Sequence, residues 1–89
     1  MLQKELTIQN KLGLHARAST KLVQHASRYA SEITITANHK TVAAKSIMGV
    51  MLLAASKGTK IILAISGKDE IEAMADLENL ITNKFEEEE

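Results

Sequence analysis

The sequence predicts an α+β fold in two layers, an open-faced β-sandwich in which three helices cover one face of a four-stranded antiparallel sheet. Its 89 residues are enough for one small domain, so we take residues 1–89 as a single folding unit. The spacing of apolar residues alternates between the period of a strand and that of a helix, in the order β-α-β-β-α-β-α. Elements of this number and length bury their apolar faces as two layers, and an antiparallel sheet tolerates a second face in water. The order of the strands does not follow from the pattern.

The N-terminal half contains a strand, a helix and a hairpin. Apolar and polar residues alternate over residues 2–8, which indicates a strand that is followed by a loop. From Ala16 onward, apolar residues recur at helical spacing, which predicts an amphipathic helix of about three to four turns. Residues 32–43 alternate on both sides of Asn38 and His39, a pair suited to a two-residue turn. We therefore predict a β-hairpin there.

The C-terminal half contains a short helix, a strand and a longer helix. Ser46 precedes an apolar run and is a favourable N-cap, so residues 47–53 are predicted to form a short helix. Residues 59–66 are rich in β-branched side chains and predict a strand. Asp69 and Glu72 have the spacing of a capping box that would begin the last helix. Apolar residues at spacings of three and four predict its buried side: Ile71, Met74, Leu77, Ile81 and Phe85.

The composition excludes several classes of protein. The chain has no cysteine, which excludes disulfides and thiolate metal sites. It has one tyrosine, one phenylalanine and no recognition motif, which argues against binding to nucleic acid. There is no signal peptide and no apolar run of membrane-spanning length, so we expect a cytoplasmic protein without membrane insertion.

The net charge of zero conceals an asymmetry along the chain. Residues 1–68 carry ten Lys or Arg against two acidic residues, which is a net charge of +8. Residues 69–89 carry nine acidic residues against one lysine, which is −8. The positive part could steer acidic proteins or phosphate toward it, although ordinary solvated lysines explain the pattern equally well. The acidic residues 86–89 are expected to form a frayed, solvated end.

The segment GLHARAST, residues 13–20, places His15 and Arg17 at the predicted start of the first helix. The first backbone N–H groups of a helix, here those of Ala16 and Arg17, lack partners within the helix and favour an anion. The same field disfavours a charged imidazole, so His15 is expected in its neutral, nucleophilic form. Arg17 adds a donor suited to phosphate. His15 is thus a candidate to accept a phosphoryl group, with Ala16 and Arg17 holding its oxygens.

The residues alone leave a simpler alternative open, since a histidine near a helix start is often only a cap or loop residue. The other two histidines, His25 and His39, need no function. No pair of the three histidines has the spacing of metal ligands, so we expect no metal site. We likewise expect no cofactor.

GLHARAST closely resembles the active-site segment of the HPr family, the histidine-containing phosphocarriers of the bacterial phosphoenolpyruvate-dependent phosphotransferase system. KSIMGVM, residues 45–51, resembles the regulatory-serine segment of that family, and the order of elements matches over essentially the whole chain. The resemblance implies a carrier that is itself phosphorylated rather than an enzyme that turns over. Phosphorylated Enzyme I would transfer a phosphoryl group to Nδ1 of His15, and IIA components of sugar permeases would receive it.

The resemblance also implies a regulatory site and a docking surface. In some bacteria a dedicated HPr kinase/phosphorylase modifies the serine that matches Ser46. Partner docking is implied for Thr20, Lys45, Ile47, Met48 and Met51, with a basic rim of Arg17, Lys21, Lys40 and Lys45. Some relatives have lysines where this chain has Gln24, Ser27 and Gly49.

Two related roles compete with sugar transport, and the protein is expected to be a monomer in each of them. A regulator that acts only through phosphorylated Ser46 would lack the active histidine, which this chain retains as His15. A nitrogen-related paralogue would use the same histidine chemistry in a regulatory relay. The motifs do not separate that paralogue from the sugar carrier.

Overall fold

The computed structural model describes residues 1–87. Four strands and three helices follow one another in the predicted order, and a short 3₁₀ turn follows the last helix. They are β1 (Leu2–Thr7), α1 (Ala16–Ala26), β2 (Glu32–Ala37), β3 (Lys40–Ala43), α2 (Ile47–Leu52), β4 (Lys60–Ser66), α3 (Glu70–Thr82) and the 3₁₀ turn Lys84–Glu86. The strands form one antiparallel sheet in the order β1-β4-β2-β3, and the predicted fold class is confirmed. None of the helices within residues 1–87 is long and apolar enough to cross a membrane.

The centre of the sheet supplies much of the core. Ile35 of β2 lies opposite Leu63 of β4, and both are fully buried. The predicted hairpin between β2 and β3 is confirmed. Asn38 and His39 have φ angles of 50° and 67°, the left-handed conformation that a type I′ turn requires of both central residues.

The helices pack their apolar sides on the sheet, with two differences from the prediction. In α3 the buried side is formed by Ala73, Met74, Leu77, Leu80 and Ile81. Ile71 is 70% exposed, because at about 100° per residue it lies about 120° around the helix from Leu77. Phe85 is fully buried but does not continue the helix. After α3 ends at Thr82, the chain turns through three residues of positive φ and inserts Phe85 into the core from beyond the helix.

The predicted capping box of α3 is wrong. Asp69 occupies the N-cap position but makes no capping hydrogen bond. Its carboxylate instead accepts hydrogen bonds from the backbone N–H groups of Ala30 (2.8 Å) and Ser31 (3.0 Å), and from the Ser31 hydroxyl. The Ser31 hydroxyl and then the backbone donors hold the pKa of Asp69 below its ordinary value. The carboxylate thus ties the loop after α1 to the start of α3, a long-range contact that a local motif does not reveal.

Glu86 and Glu87, the described residues of the expected frayed acidic end, both contact other parts of the chain. Glu86 lies in the 3₁₀ turn, and the carboxylate of Glu87 accepts hydrogen bonds from two side chains in the N-terminal part of the chain. The remaining residues of the predicted frayed segment, 88 and 89, lie outside the described residues.

Asp76 of α3 joins the two long helices. Its carboxylate accepts a hydrogen bond from the Tyr29 hydroxyl (2.7 Å) and contacts Nδ1 of His25 on α1 (2.8 Å). Burial alone would raise the pKa of Asp76, but the hydrogen bonds from Tyr29 and His25 outweigh it, and the pKa lies below its ordinary value of 3.8. This contact helps to fix α1 against α3, whose far end carries the turn at Phe85.

Replacing Asp76 with alanine should therefore destabilise the fold at neutral pH by about 1–3 kcal/mol, because two partners lose a charged acceptor. Since the folded pKa of Asp76 is lowered, its contribution is complete above 3.8 and is lost as the pH falls through the folded value. Urea unfolding at a series of pH values should show the difference between wild type and Asp76→Ala shrinking in acid.

Glu72→Ala is the matched control, because Glu72 is exposed on the same helix. It should change the free energy of unfolding by less than about 0.5 kcal/mol. A constant difference between wild type and Asp76→Ala across the acid range would contradict the assigned role of the Asp76 carboxylate.

Candidate functional site

The loop before α1 is held against a neighbouring loop at one close approach. The N–H of Leu14 donates to the carbonyl of Ala55 (2.8 Å). Gly13 has a φ of 65°, and a Cβ at this position would lie 2.4 Å from the same carbonyl oxygen. Only glycine fits a left-handed backbone this close to another chain segment. Gly13 therefore sets the path of the chain into His15.

His15 is the N-cap of α1, with an extended backbone conformation at φ −75° and ψ −178°. Its Nδ1 accepts a hydrogen bond from the backbone N–H of Arg17 (3.3 Å). Its Nε2 lies 2.7 Å from Oε2 of Glu87. A backbone N–H can only donate and a carboxylate only accepts, so this arrangement assigns the lone pair to Nδ1 and the proton to Nε2. The imidazole is 26% exposed and reachable from solvent.

The amino end of α1 places the other predicted anion donors beside this lone pair. Ala16 and Arg17 form the first two positions of the helix, where N–H groups lack intrahelical acceptors. The Arg17 side chain is exposed, and its guanidinium makes no hydrogen bond or ion pair with any other residue of the range 1–87. Thr20 lies one turn further on, and its hydroxyl donates to the Ala16 carbonyl (2.8 Å). The structure thus brings His15, Ala16, Arg17 and Thr20 together.

The predicted helix after Ser46 is confirmed, and so is its cap. The Ser46 hydroxyl accepts a hydrogen bond from the N–H of Gly49 (3.1 Å), and Ser46 itself is exposed. Val50 and Leu53 are buried, which leaves the opposite side of α2 in solvent. We call that side the apolar patch; it consists of Ile47, Met48, Met51 and Leu52, which are 42%, 77%, 44% and 62% exposed. Leu52 was not among the docking residues predicted from the sequence.

The predicted basic residues lie at different places along α1. Lys21 is at the middle of α1, and its Nζ donates to the carbonyl of Phe85 (2.9 Å). Lys45 donates to the carbonyl of Tyr29 (2.7 Å), beyond the carboxyl end of the helix. The 11 residues of α1 correspond to about 16 Å of helix, so Lys45 is not part of the group around His15. Ser46, which follows Lys45, is at the same remote end.

Two residues at the site, Asn10 and Glu87, were not predicted from the sequence. Asn10, interpreted only as part of a loop, is fully buried, and its Nδ2 donates to the carbonyl of Gly13 (2.8 Å) and to Oε1 of Glu87 (3.1 Å). Burial alone would raise the pKa of Glu87, but the hydrogen bonds from His15 and Asn10 outweigh it and lower the pKa. The polarity of Asn10 was the only signal in the sequence, since the position of Glu87 depends on the turn at Phe85.

A comparison with protein families assigns the chain that carries this site to a family. A family model described as the PTS HPr component phosphorylation site matches residues 2–83, nearly the whole chain. The chain belongs to the HPr family. The resemblance of residues 13–20 and 45–51 to HPr is therefore confirmed, and the chain is a member of the phosphocarrier family of the phosphotransferase system.

Individual HPr proteins and structures agree with this assignment. The phosphocarrier protein HPr of Xylella fastidiosa is 56% identical over 87 residues, which is 98% of each chain. The crystal structure of HPr-C-His from Thermoanaerobacter tengcongensis superposes with a TM-score of 0.96 at 45% identity, covering 100% of both chains. The crystal structure of HPr from Bacillus anthracis str. Ames gives a TM-score of 0.86 at 40% identity, over 90% of this chain and 95% of that one.

The close approach at Gly13 makes a specific prediction about stability. Gly13→Ala should destabilise the fold by at least about 2 kcal/mol, because the new Cβ collides with backbone atoms of Ala55 and Ser56. Gly58→Ala is the matched control, since Gly58 also has a positive φ (90°) but has nothing within 4 Å of the added carbon. It should cost about 1 kcal/mol from backbone strain alone.

Urea unfolding of both variants measures the difference between them. Equal losses would mean that the contact with Ala55 does not constrain the loop that leads into His15.

Proposed function

We propose that this protein accepts a phosphoryl group on Nδ1 of His15 from phosphorylated Enzyme I and passes it to IIA components of sugar permeases. The observation that carries the proposal is the placement of the Nδ1 lone pair at the amino end of α1, beside the N–H of Arg17. Membership of the HPr family supports the same reading. As a carrier, the protein is consumed and regenerated in each cycle, and we place it in the cytoplasm.

The transfer follows from this geometry. The lone pair of Nδ1 attacks the phosphorus of the phosphohistidine of Enzyme I, the new N–P bond forms, and the old one breaks with its electron pair returning to the donor imidazole. The N–H of Arg17, which bonds Nδ1 in the free protein, then becomes a donor to a phosphoryl oxygen. The Ala16 N–H and the exposed Arg17 guanidinium supply further donors.

A relay also requires that the phosphoryl group can leave again. Each charge-assisted contact contributes about 1–3 kcal/mol, so a few donors at an exposed helix end hold the group without trapping it. The second transfer reverses the first, with a nucleophile of the IIA component attacking the same phosphorus atom. The imidazole then regains its lone pair on Nδ1.

Docking of both partners is proposed for the apolar patch on α2 together with Thr20. Four exposed apolar side chains on one short helix form a surface that a protein partner would cover. Thr20 lies on α1 one turn after Ala16, and α2 packs beside α1. Lys21, at the middle of α1, and Lys45, beyond its carboxyl end, would meet acidic residues of a partner.

Ser46 is proposed as a regulatory phosphorylation site, as its resemblance to the HPr serine implies. The hydroxyl is exposed at the end of α2 remote from His15, so phosphate there would act by adding negative charge to the docking surface. Mass spectrometry of protein isolated from cells grown on different carbon sources tests this. Absence of the modification on every carbon source would contradict it.

Phosphorylation of the wild type and of His15→Ala by Enzyme I and phosphoenolpyruvate tests the proposed function. The wild type should gain one phosphoryl group that is labile in acid and stable in alkali, as expected for phosphohistidine, and His15→Ala should gain none. An adduct on His15→Ala would contradict the assignment. Comparison of sugar-type and nitrogen-type Enzyme I identifies the branch, and faster transfer from the nitrogen type would contradict the sugar-transport role.

Replacing Met48 with aspartate should slow transfer from Enzyme I about tenfold, because it places a charge in the centre of the proposed interface. The matched control is Ile71→Asp, since Ile71 is similarly exposed (70% against 77%) but lies on α3. Both variants should remain folded by circular dichroism. Equal rates for the two variants would remove the apolar patch from the interface.

A further inference from the structure

Both carboxylate oxygens of Glu87 are engaged at the site. Oε2 lies 2.7 Å from Nε2 of His15, and Oε1 accepts a hydrogen bond from Nδ2 of Asn10 (3.1 Å). The side chain is only 14% exposed, although it lies near the end of a run of acidic residues. Glu87 is therefore oriented by two contacts at once.

The backbone that carries Glu87 is held in an unusual conformation. Lys84, Phe85 and Glu86 have φ angles of 57°, 55° and 65°, which cost non-glycine residues about 1–2 kcal/mol each. Such a turn persists only where tertiary contacts determine it. The fully buried Phe85 ring supplies one of these contacts, and the hydrogen bond from Lys21 Nζ to the Phe85 carbonyl supplies another.

Asn10, whose side chain orients Glu87, is also held in place. Asn10 is fully buried, and its Nδ2 also donates to the carbonyl of Gly13 (2.8 Å). Gly13 in turn lies against the carbonyl of Ala55. Two distant parts of the chain therefore hold the Glu87 carboxylate against the imidazole: the loop around Asn10 and the turn at Phe85.

Glu87 does not occupy the place proposed for the phosphoryl group. An intramolecular anion that mimicked phosphate would bond the N–H groups at the start of α1, on the Nδ1 side of the ring. Glu87 instead contacts Nε2, on the other side, and leaves Nδ1 to the N–H of Arg17. The contact fits orientation of the imidazole rather than competition with the incoming group.

We infer that Glu87 is a positioning residue, which holds the His15 ring with its proton on Nε2 so that Nδ1 presents its lone pair to the phosphoryl donor. This inference rests on the proposed function of His15. The carboxylate accepts the Nε2 proton in a hydrogen bond and so fixes both the tautomer and the orientation of the ring. In the phosphorylated state the same contact would stabilise the protonated ring, which is the better leaving group for the second transfer.

The test uses the full chain labelled with ¹⁵N-histidine, as wild type, Glu87→Ala, Glu87→Gln and Glu86→Ala. Glu86 is the matched control, because it is 67% exposed and faces Lys21 rather than His15. At about pH 9, well above the ordinary histidine range, imidazole ¹⁵N shifts report which nitrogen is protonated. Wild type and Glu86→Ala should show a protonated Nε2 with a hydrogen-bonded proton resonance. Glu87→Ala should lose that resonance, and Glu87→Gln, which keeps an acceptor oxygen, should recover it.

Transfer rates from phosphorylated Enzyme I give the second readout. Glu87→Ala should be slower than Glu86→Ala by about tenfold, and Glu87→Gln should lie between them. Equal rates for Glu87→Ala and Glu86→Ala, or a wild-type ring protonated on Nδ1, would overturn the inference. Failure of the wild type to accept a phosphoryl group would instead overturn the proposed function, and the NMR result does not depend on it.

Discussion

The N–H of Arg17 points at Nδ1 of His15 because the first N–H groups of a helix have no carbonyl within the helix to bond. His15 satisfies this requirement as the N-cap, and in doing so it turns one ring nitrogen toward the only part of α1 that favours an anion. The same N–H can serve a lone pair in the free protein and a phosphoryl oxygen after transfer. One hydrogen bond thus gives the Arg17 N–H an acceptor and orients the nucleophilic ring of His15.

The rest of the fold keeps this helix end in place. Gly13 fits the loop against Ala55 from one side, and the Asp76 carboxylate fixes α3 against α1 from the other. Because α3 runs antiparallel to α1, the chain beyond α3 returns to the amino end of α1, where Glu87 contacts His15. Lys21, at the middle of α1, bonds the Phe85 carbonyl on the way. A domain of this size has little interior for a deep pocket, so its chemistry lies at the surface and partners must complete the site.

Features set by neighbours in sequence could be predicted from the sequence. The turn at Asn38 and His39, the cap at Ser46 and the start of α1 at Ala16 depend on a few adjacent residues, and each was predicted at its observed position. The family followed from residues 13–20 and 45–51, whose motifs are local as well.

Features set by distant segments could not be predicted. The spacing of Asp69 and Glu72 suggests a capping box at the start of α3. The Asp69 carboxylate instead accepts hydrogen bonds from Ala30 and Ser31, which are more than 35 residues away in sequence. Phe85 has the spacing of a helix face, yet it reaches the core through a left-handed turn. Glu87 belongs to a run that resembles a solvated tail, and only that turn brings it to His15.

The attachment of phosphorus to one particular ring nitrogen tests the central claim most directly. Protein labelled with ¹⁵N-histidine and phosphorylated by Enzyme I and phosphoenolpyruvate can be examined by NMR for one-bond coupling between ³¹P and ¹⁵N. The geometry at the amino end of α1 predicts coupling to Nδ1 of His15. Coupling to Nε2, or phosphorus bound to any other residue, would contradict it.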